Sequence, residues 1–193
     1  MNKSKHKILK YIRSFADQSH GTQVRKYTGD RYIVHPVRVM EMVREYNDDI
    51  AVLAAALLHD VLEDTSVSQS EMRGALLQVL EPEQAGKIVE LVVELTDIFI
   101  KEDYPRLNRK RRKEKEAERL RGASPEAQSI KYADIIDNVK DIAAQDMDFA
   151  KIFVREAKRM LMVMDSGDPQ LRQKALRVVN QCLHNPQRET ELF

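Results

Sequence analysis

Four residues within a span of six, His59, Asp60, Glu63 and Asp64, could do chemistry together. An imidazole beside a carboxylate offers nitrogen and oxygen ligands to one cation, and a second pair of carboxylates can orient a water or take its proton. They close the stretch Ala51-Val-Leu-Ala-Ala-Ala-Leu-Leu-His-Asp-Val-Leu-Glu-Asp-Thr65, which begins as a nearly pure apolar run. Ala and Leu dominate it, with one early Val, so the spacing predicts helix rather than strand. A helix apolar all round belongs in a core. Unpaired ionised groups in a core cost several kcal/mol or neutralise, so such groups are paired or bind metal. On one continuous helix Glu63 stands a turn beyond His59, and Asp64 a turn beyond Asp60. A buried helix whose polar end simply surfaces in a loop accounts for this stretch equally well.

The elements that must position these groups follow from the pattern on either side. Residues 4–19 read as an amphipathic helix with Ile8, Tyr11, Ile12 and Phe15 on one face. A polar, glycine-punctuated loop follows from His20 to Arg31. It carries Gln23, Arg25 and Lys26, which could line a ligand or merely face solvent. His35 precedes Pro36, which biases it out of the α region and starts a helix running to about Tyr46, with Val39, Met42 and Val43 inward. One helix and one turn separate His35 from the His59-Asp60 pair, so it can fold back beside them. Further on, Ser68-Gln-Ser-Glu71 is a capping box, and Pro82 and Pro125 open helices in their first turns. The helix after Ser124 puts Asp134, Asn138 and Asp141 on one face among Ile130, Ala133, Ile136 and Val139. An acid in that apolar setting makes Asp134 a candidate fourth ligand, while Asp137 reads as a surface residue. Met160, Met162 and Met164 read as packing, and residues 186–193 as a frayed tail.

Composition bounds the rest. With 193 residues, 32 Lys+Arg against 31 Asp+Glu and 42% hydrophobic residues, the chain reads as one domain with a balanced surface and no global field for nucleic acid or membrane. A single cysteine, Cys182, excludes an internal disulfide framework and reads as a small core residue. The longest apolar stretch, Ile50 to Leu58, is too short to span a bilayer, and the cytoplasm follows by default. Sparse Gly and Pro and few β-branched runs predict an all-α fold. Residues 106–121 are rich in Arg and Lys; they read as a solvated helix or as a cationic wall over a phosphate site.

His35, His59, Asp60 and Asp134 form a mixed set of imidazoles and carboxylates that suits Mn²⁺, Fe²⁺ or Zn²⁺ better than Ca²⁺. Their order, H…HD…D, resembles the signature of the HD-domain phosphohydrolases, a wholly α-helical superfamily. The likeness extends further. His20-x-x-Gln-x-Arg-Lys-x-x-Gly-x-x-Tyr-Ile-x-His-Pro36 and Ala55-Ala-Leu-Leu-His-Asp-Val-x-Glu-Asp-Thr65 resemble the hydrolase domain of RelA/SpoT proteins. Glu94-Leu-Thr-Asp97, Arg112-Lys113, Ser124-Pro-x-Ala127 and Lys131-x-Ala-Asp-x-x-x-Asn138 continue it in order. The length is similar to that of the stand-alone small alarmone hydrolases.

The resemblance implies a single HD-type hydrolase domain, all-α, with its core over about 5–183 and a tail over 184–193. It implies His35, His59, Asp60 and Asp134 as ligands of Mn²⁺, with Glu63 and Asp64 as the catalytic pair that handles the attacking water. Arg25, Lys26, Asn138 and Lys113 match positions that contact the nucleotide. The implied reaction removes the 3′-diphosphate of ppGpp or pppGpp as pyrophosphate, leaving GDP or GTP. A small-molecule nucleotide is the expected partner, with no nucleic acid and no membrane. Ile135 stands where a basic residue is usual, and Asp137 where an aromatic or His is usual. These departures keep open another nucleotide, such as an adenine alarmone or a phosphorylated dinucleotide cofactor, or an inactive nucleotide-binding module.

Overall fold

A computed structural model describes residues 3–184, and the predicted tail, residues 186–193, lies outside them. Among the described residues the regular structure is helical, apart from one isolated antiparallel bridge between Val24 and Arg31. The helices are α1 (Lys3–His20), α2 (Val34–Arg44), α3 (Ile50–Leu58), α4 (Val61–Asp64), α5 (Gln69–Leu76), α6 (Pro82–Leu95), α7 (Arg109–Arg121), α8 (Pro125–Gln145), α9 (Met147–Val163) and α10 (Pro169–His184). The chain divides after Thr96 into two compact units.

The first unit is built around α3. Every residue from Ala51 to Leu58 is buried, as an all-apolar helix requires, and α1, α2 and α6 pack against it. Asp49 caps it, its carboxylate accepting the Ala51 N–H at 2.7 Å, and Lys87 of α6 reaches the other oxygen of the same carboxylate at 3.2 Å. The helix is not continuous to Thr65. It stops at His59, and Asp60 adopts φ −96° and ψ −6°, the sparsely populated bridge region in which active-site residues recur. α4 then resumes, with the Asp64 N–H on the Asp60 carbonyl at 2.8 Å.

Three facings in this unit differ from expectation. α1 buries Leu9, Ile12 and Ala16, one position round from the predicted stripe, so Tyr11 is exposed. In α2 it is Met40 that joins Val39 and Val43 in the core, while Met42 is half-buried. His35 lies inside α2 rather than outside the α region, because Val34 already opens the helix. With Pro36 still in the first turn, its missing N–H costs no helix bond.

The second unit is organised on α8, with α9 and α10 packed on it and α7 on α9. Ser124 caps α8, accepting the Ala127 N–H at 3.3 Å. The predicted acid face is more deeply placed than expected. Asp137 is buried as well as Asp134, because α8 is enclosed on most sides and leaves little outward face for an acid. Met160 and Met164 are core residues, but Met162 is exposed on the outer face of α9, and Cys182 is half-buried.

A polar latch joins the ends of these helices. Buried Gln128 donates to the carbonyls of Leu120, Arg121 and Ala123 at 3.1–3.2 Å, and its Oε1 accepts the Ser166 N–H at 2.9 Å. Ser129 Oγ accepts the Asp168 N–H at 2.8 Å, drawing the α9–α10 turn against α8. The approach leaves no room at Gly167, where a Cβ would stand 2.6 Å from the Tyr132 ring and 2.9 Å from both Ser129 N and Oγ. Gly167→Ala should therefore lower stability by roughly 1–3 kcal/mol, because the backbone and ring must shift to admit the methyl. Urea unfolding checks this, and an unchanged midpoint would refute the tight approach.

Candidate metal and hydrolytic site

In the first unit the break after α3 brings three predicted ligands together. Asp60 Oδ2 lies 3.2 Å from His59 Nε2 and 3.4 Å from His35 Nε2. The two imidazoles are 2% and 1% exposed, and their rings meet edge-on with centroids 5.1 Å apart. His59 Nδ1 donates to the Ala56 carbonyl at 2.8 Å, which fixes the tautomer and turns Nε2 toward Asp60. Burial alone would push the Asp60 carboxyl up; the neighbouring His59 and His35 outweigh it and hold that carboxyl well below the usual range.

Tyr32 stands over this group. Its hydroxyl lies 2.8 Å from Asp60 Oδ2 and 2.6 Å from Asp64 Oδ2. Burial and the negative charges of Asp60 and Asp64 drive its ionisation far above the ordinary tyrosine range, so it remains a donor. Asp64 is exposed as a residue, but its carboxylate tip turns onto Tyr32. Burial of that tip and the charge of Asp60 raise its pKa, opposed by the Tyr32 hydrogen bond. Glu63 is exposed beside it.

The loop before α2 carries the predicted nucleotide contacts. The Arg25 guanidinium lies 5.7 Å from the Tyr32 ring centroid, and the Lys26 ammonium 4.9 Å from that of Tyr27. The loop is pinned by Arg25 N–H on the Asp30 carbonyl at 2.8 Å and by Gly29, whose φ of +75° suits a residue without Cβ. Arg31 pairs with Asp17 of α1 at 2.8 Å.

The remaining candidates lie in the second unit. Asp134, 5% exposed, accepts from Asn138 Nδ2 at 2.5 Å and pairs with Lys131 at 2.8 Å. Lys113 pairs with Asp97 at 2.6 Å. The other cations of α7 are largely engaged in the same way: Arg109 holds Glu156 through two bonds of 2.7–2.9 Å, and Arg111 reaches Glu114. Arg119 pairs with buried Glu116, whose Oε2 also accepts the backbone N–H groups of Ile98 and Phe99. The solvated-helix reading of this basic run thus describes its outer face, and Glu116 is a buried anchor that composition could not reveal. Sequence reasoning also missed Tyr32. The signal was available, since a tyrosine three residues before a candidate ligand histidine at a helix start shares its face.

The sequence profile of the HD domain matches residues 13–164. The chain belongs to the HD-domain family. This HD domain is 35% identical over 131 residues to the mouse guanosine-3′,5′-bis(diphosphate) 3′-pyrophosphohydrolase MESH1, covering 66% of this chain and 65% of that protein. It is 34% identical over 128 residues to the Aquifex aeolicus protein named guanosine-3′,5′-bis(diphosphate) 3′-pyrophosphohydrolase, covering 66% of this chain but 17% of that one. The chain thus spans less than two thirds of the length of these relatives. The solved structure of a metazoan orthologue of SpoT, described as hydrolysing ppGpp, superposes with a TM-score of 0.75 at 25% identity, over 94% of this chain and 96% of its own. A shared helical fold and the buried His-Asp group bear out the expected family and the capacity to bind a divalent metal.

The ion pair at the start of the second unit is open to a pH test. Burial raises the Asp97 carboxyl, but Lys131, Lys113 and Arg119 outweigh it and leave its pKa lowered. A depressed carboxylate stabilises the fold above its unfolded value of about 4 and loses that contribution as pH falls through the folded value. Asp97→Asn should therefore be roughly 1–3 kcal/mol less stable than wild type at pH 7, with the difference shrinking below about pH 4. Urea unfolding across pH 3–7 measures it; a pH-independent difference would refute the charge argument.

Proposed function

We propose that this chain is a Mn²⁺-dependent hydrolase that removes the 3′-diphosphate of ppGpp or pppGpp as pyrophosphate, leaving GDP or GTP. The observation that carries the reading is the contact of Asp60 with the buried imidazoles of His35 and His59, with Glu63 and Asp64 one turn beyond it. Ligand atoms about 2.0–2.2 Å from one cation at right angles stand about 3 Å apart. The spacings of 3.2 and 3.4 Å from Asp60 to the two imidazoles fit that, as does the His59 Nδ1 bond to a backbone carbonyl. Asp134 is proposed as the fourth ligand, on the H…HD…D order, and the units on either side of Thr96 as one working domain, since the family match runs through both.

When bound, a divalent transition ion would polarise a phosphoryl oxygen and ease deprotonation of water. Glu63 and Asp64 orient that water and accept its proton as its oxygen bonds to the phosphorus attached to the ribose 3′ oxygen. Burial and the charge of Asp60 raise the pKa of Asp64, which favours proton uptake there. The 3′ oxygen leaves and takes up a proton, and the freed diphosphate departs as pyrophosphate. Arg25, Lys26 and Lys113 offset the phosphate charge, and Asn138 contributes an amide to the nucleotide. The relatives named for ppGpp hydrolysis support this substrate. A cytoplasmic role in nutrient signalling fits it, and among the described residues no helix is long and apolar enough to cross a membrane.

The deciding experiment strips the chain with chelator, restores Mn²⁺ and follows pyrophosphate release from ppGpp. Stoichiometric metal with no release of pyrophosphate would refute the substrate, and no metal binding would refute the site. Glu63→Gln should keep its metal and lose turnover by about 10²–10⁴-fold, as expected for a lost proton acceptor. His59→Ala should lose both, and metal analysis beside the rate assay separates the two variants.

A further inference from the structure

We infer that Tyr32 is a positioning residue that holds the Asp64 carboxylate over Asp60 and ties it to the loop carrying Arg25, an inference that rests on the proposed hydrolytic role of Asp64. The need for such a residue comes from α4, which is four residues long and exposed at its end. A single helical turn is too short to fix its own geometry. A lone exposed aspartate would sample several rotamers, whereas reacting groups must be held to within a fraction of an ångström.

The structure supplies that constraint through one closed ring of contacts. The Tyr32 hydroxyl bonds Asp64 Oδ2 at 2.6 Å and Asp60 Oδ2 at 2.8 Å, so one phenol spans both carboxylates. Gln23 Nε2 donates to the Asp64 carbonyl at 2.7 Å, fixing its backbone as well. The Tyr32 N–H returns to the Gln23 carbonyl at 3.0 Å. Buried His20, 4% exposed, stacks on the Tyr32 ring with centroids 4.3 Å apart and 26° between planes. Its Nδ1 meets Gln23 Oε1 at 2.9 Å. Because the Gln23 amide nitrogen is committed to Asp64, its oxygen must accept, and His20 Nδ1 carries the hydrogen. The ring of Tyr32 is thus fixed by His20, and Arg25 lies 5.7 Å from its centroid. The hydroxyl orients the acid, and the ring supports a cation for the substrate phosphates.

The two functions can be separated by substitution in the Mn²⁺-loaded full chain. Tyr32→Phe removes only the hydroxyl and should lower kcat on ppGpp by roughly 10–100-fold with KM within about twofold. Tyr32→Leu also removes the ring and should raise KM by a further factor of about 5. In an Asp64→Asn background Tyr32→Phe should cost nothing more, because the group it positions is already gone. A general structural role would give additive losses instead. Independently of any substrate, hydrogen exchange at Val61–Asp64 should speed up in Tyr32→Phe while α3 stays protected. Unchanged exchange there overturns the inference, as does wild-type kcat or an additive double mutant. A wild-type chain inert toward ppGpp overturns the substrate reading alone, and the exchange comparison then decides on Tyr32.

Discussion

The structure of the first unit depends on where a fully apolar helix is allowed to end. α3 is buried from Ala51 to its last residue, so its last carbonyls emerge in a core rather than in water. His59 answers that demand directly, giving Nδ1–H to the Ala56 carbonyl. The same bond leaves Nε2 facing Asp60, so one contact both caps the helix and orients the imidazole. An imidazole at a helix C-terminus also sits where the backbone dipole favours positive charge. Asp60 in turn meets both imidazoles with one oxygen, and its backbone leaves the helical register to do so. A strictly continuous helix would satisfy packing equally well, but it would not show the bridge-region geometry that Asp60 adopts.

Charge in the second unit is handled by short-range pairing. α7 is densely basic, yet its cations are distributed over Glu114, Glu116, Glu118, Asp97 and Glu156. The exposed pairs contribute little each. Glu116 differs because it is buried and accepts two backbone N–H groups besides Arg119, closing the turn that follows Thr96.

Much of this was legible in the sequence, for identifiable reasons. Helices opened by strong local signals start where expected: Pro82 and Pro125 at their first positions, and the Ser68–Glu71 capping box with both reciprocal bonds formed. The burial of α3 follows from its composition alone. What failed depends on tertiary context. Tyr11 and Met162 fit an apolar stripe by spacing, but which side of a helix meets a neighbour is decided by that neighbour. Asp137 looked external because a charge is usually external, whereas α8 is enclosed on most sides. Residue types and order pointed to His35, His59 and Asp60 as candidate ligands, and the structure brings these three together. The place of Tyr32 beside them was not legible, since its contacts with Asp60 and Asp64 span 28 and 32 residues of sequence.

The candidate residues of the second unit carry their own logic. Asp134 is buried, and its carboxylate is reached by Lys131 three residues before it and Asn138 four after. Those spacings place all three on one helix face, so the arrangement forms wherever α8 forms. Asp97 and Lys113 repeat the pattern across a loop, with the charges of Lys131 and Arg119 also acting on Asp97. A carboxylate held by an ammonium and an amide is oriented before any ligand arrives. The cost of desolvating it is met in folding, and a cation or phosphate that binds later exchanges partners instead of creating a buried charge.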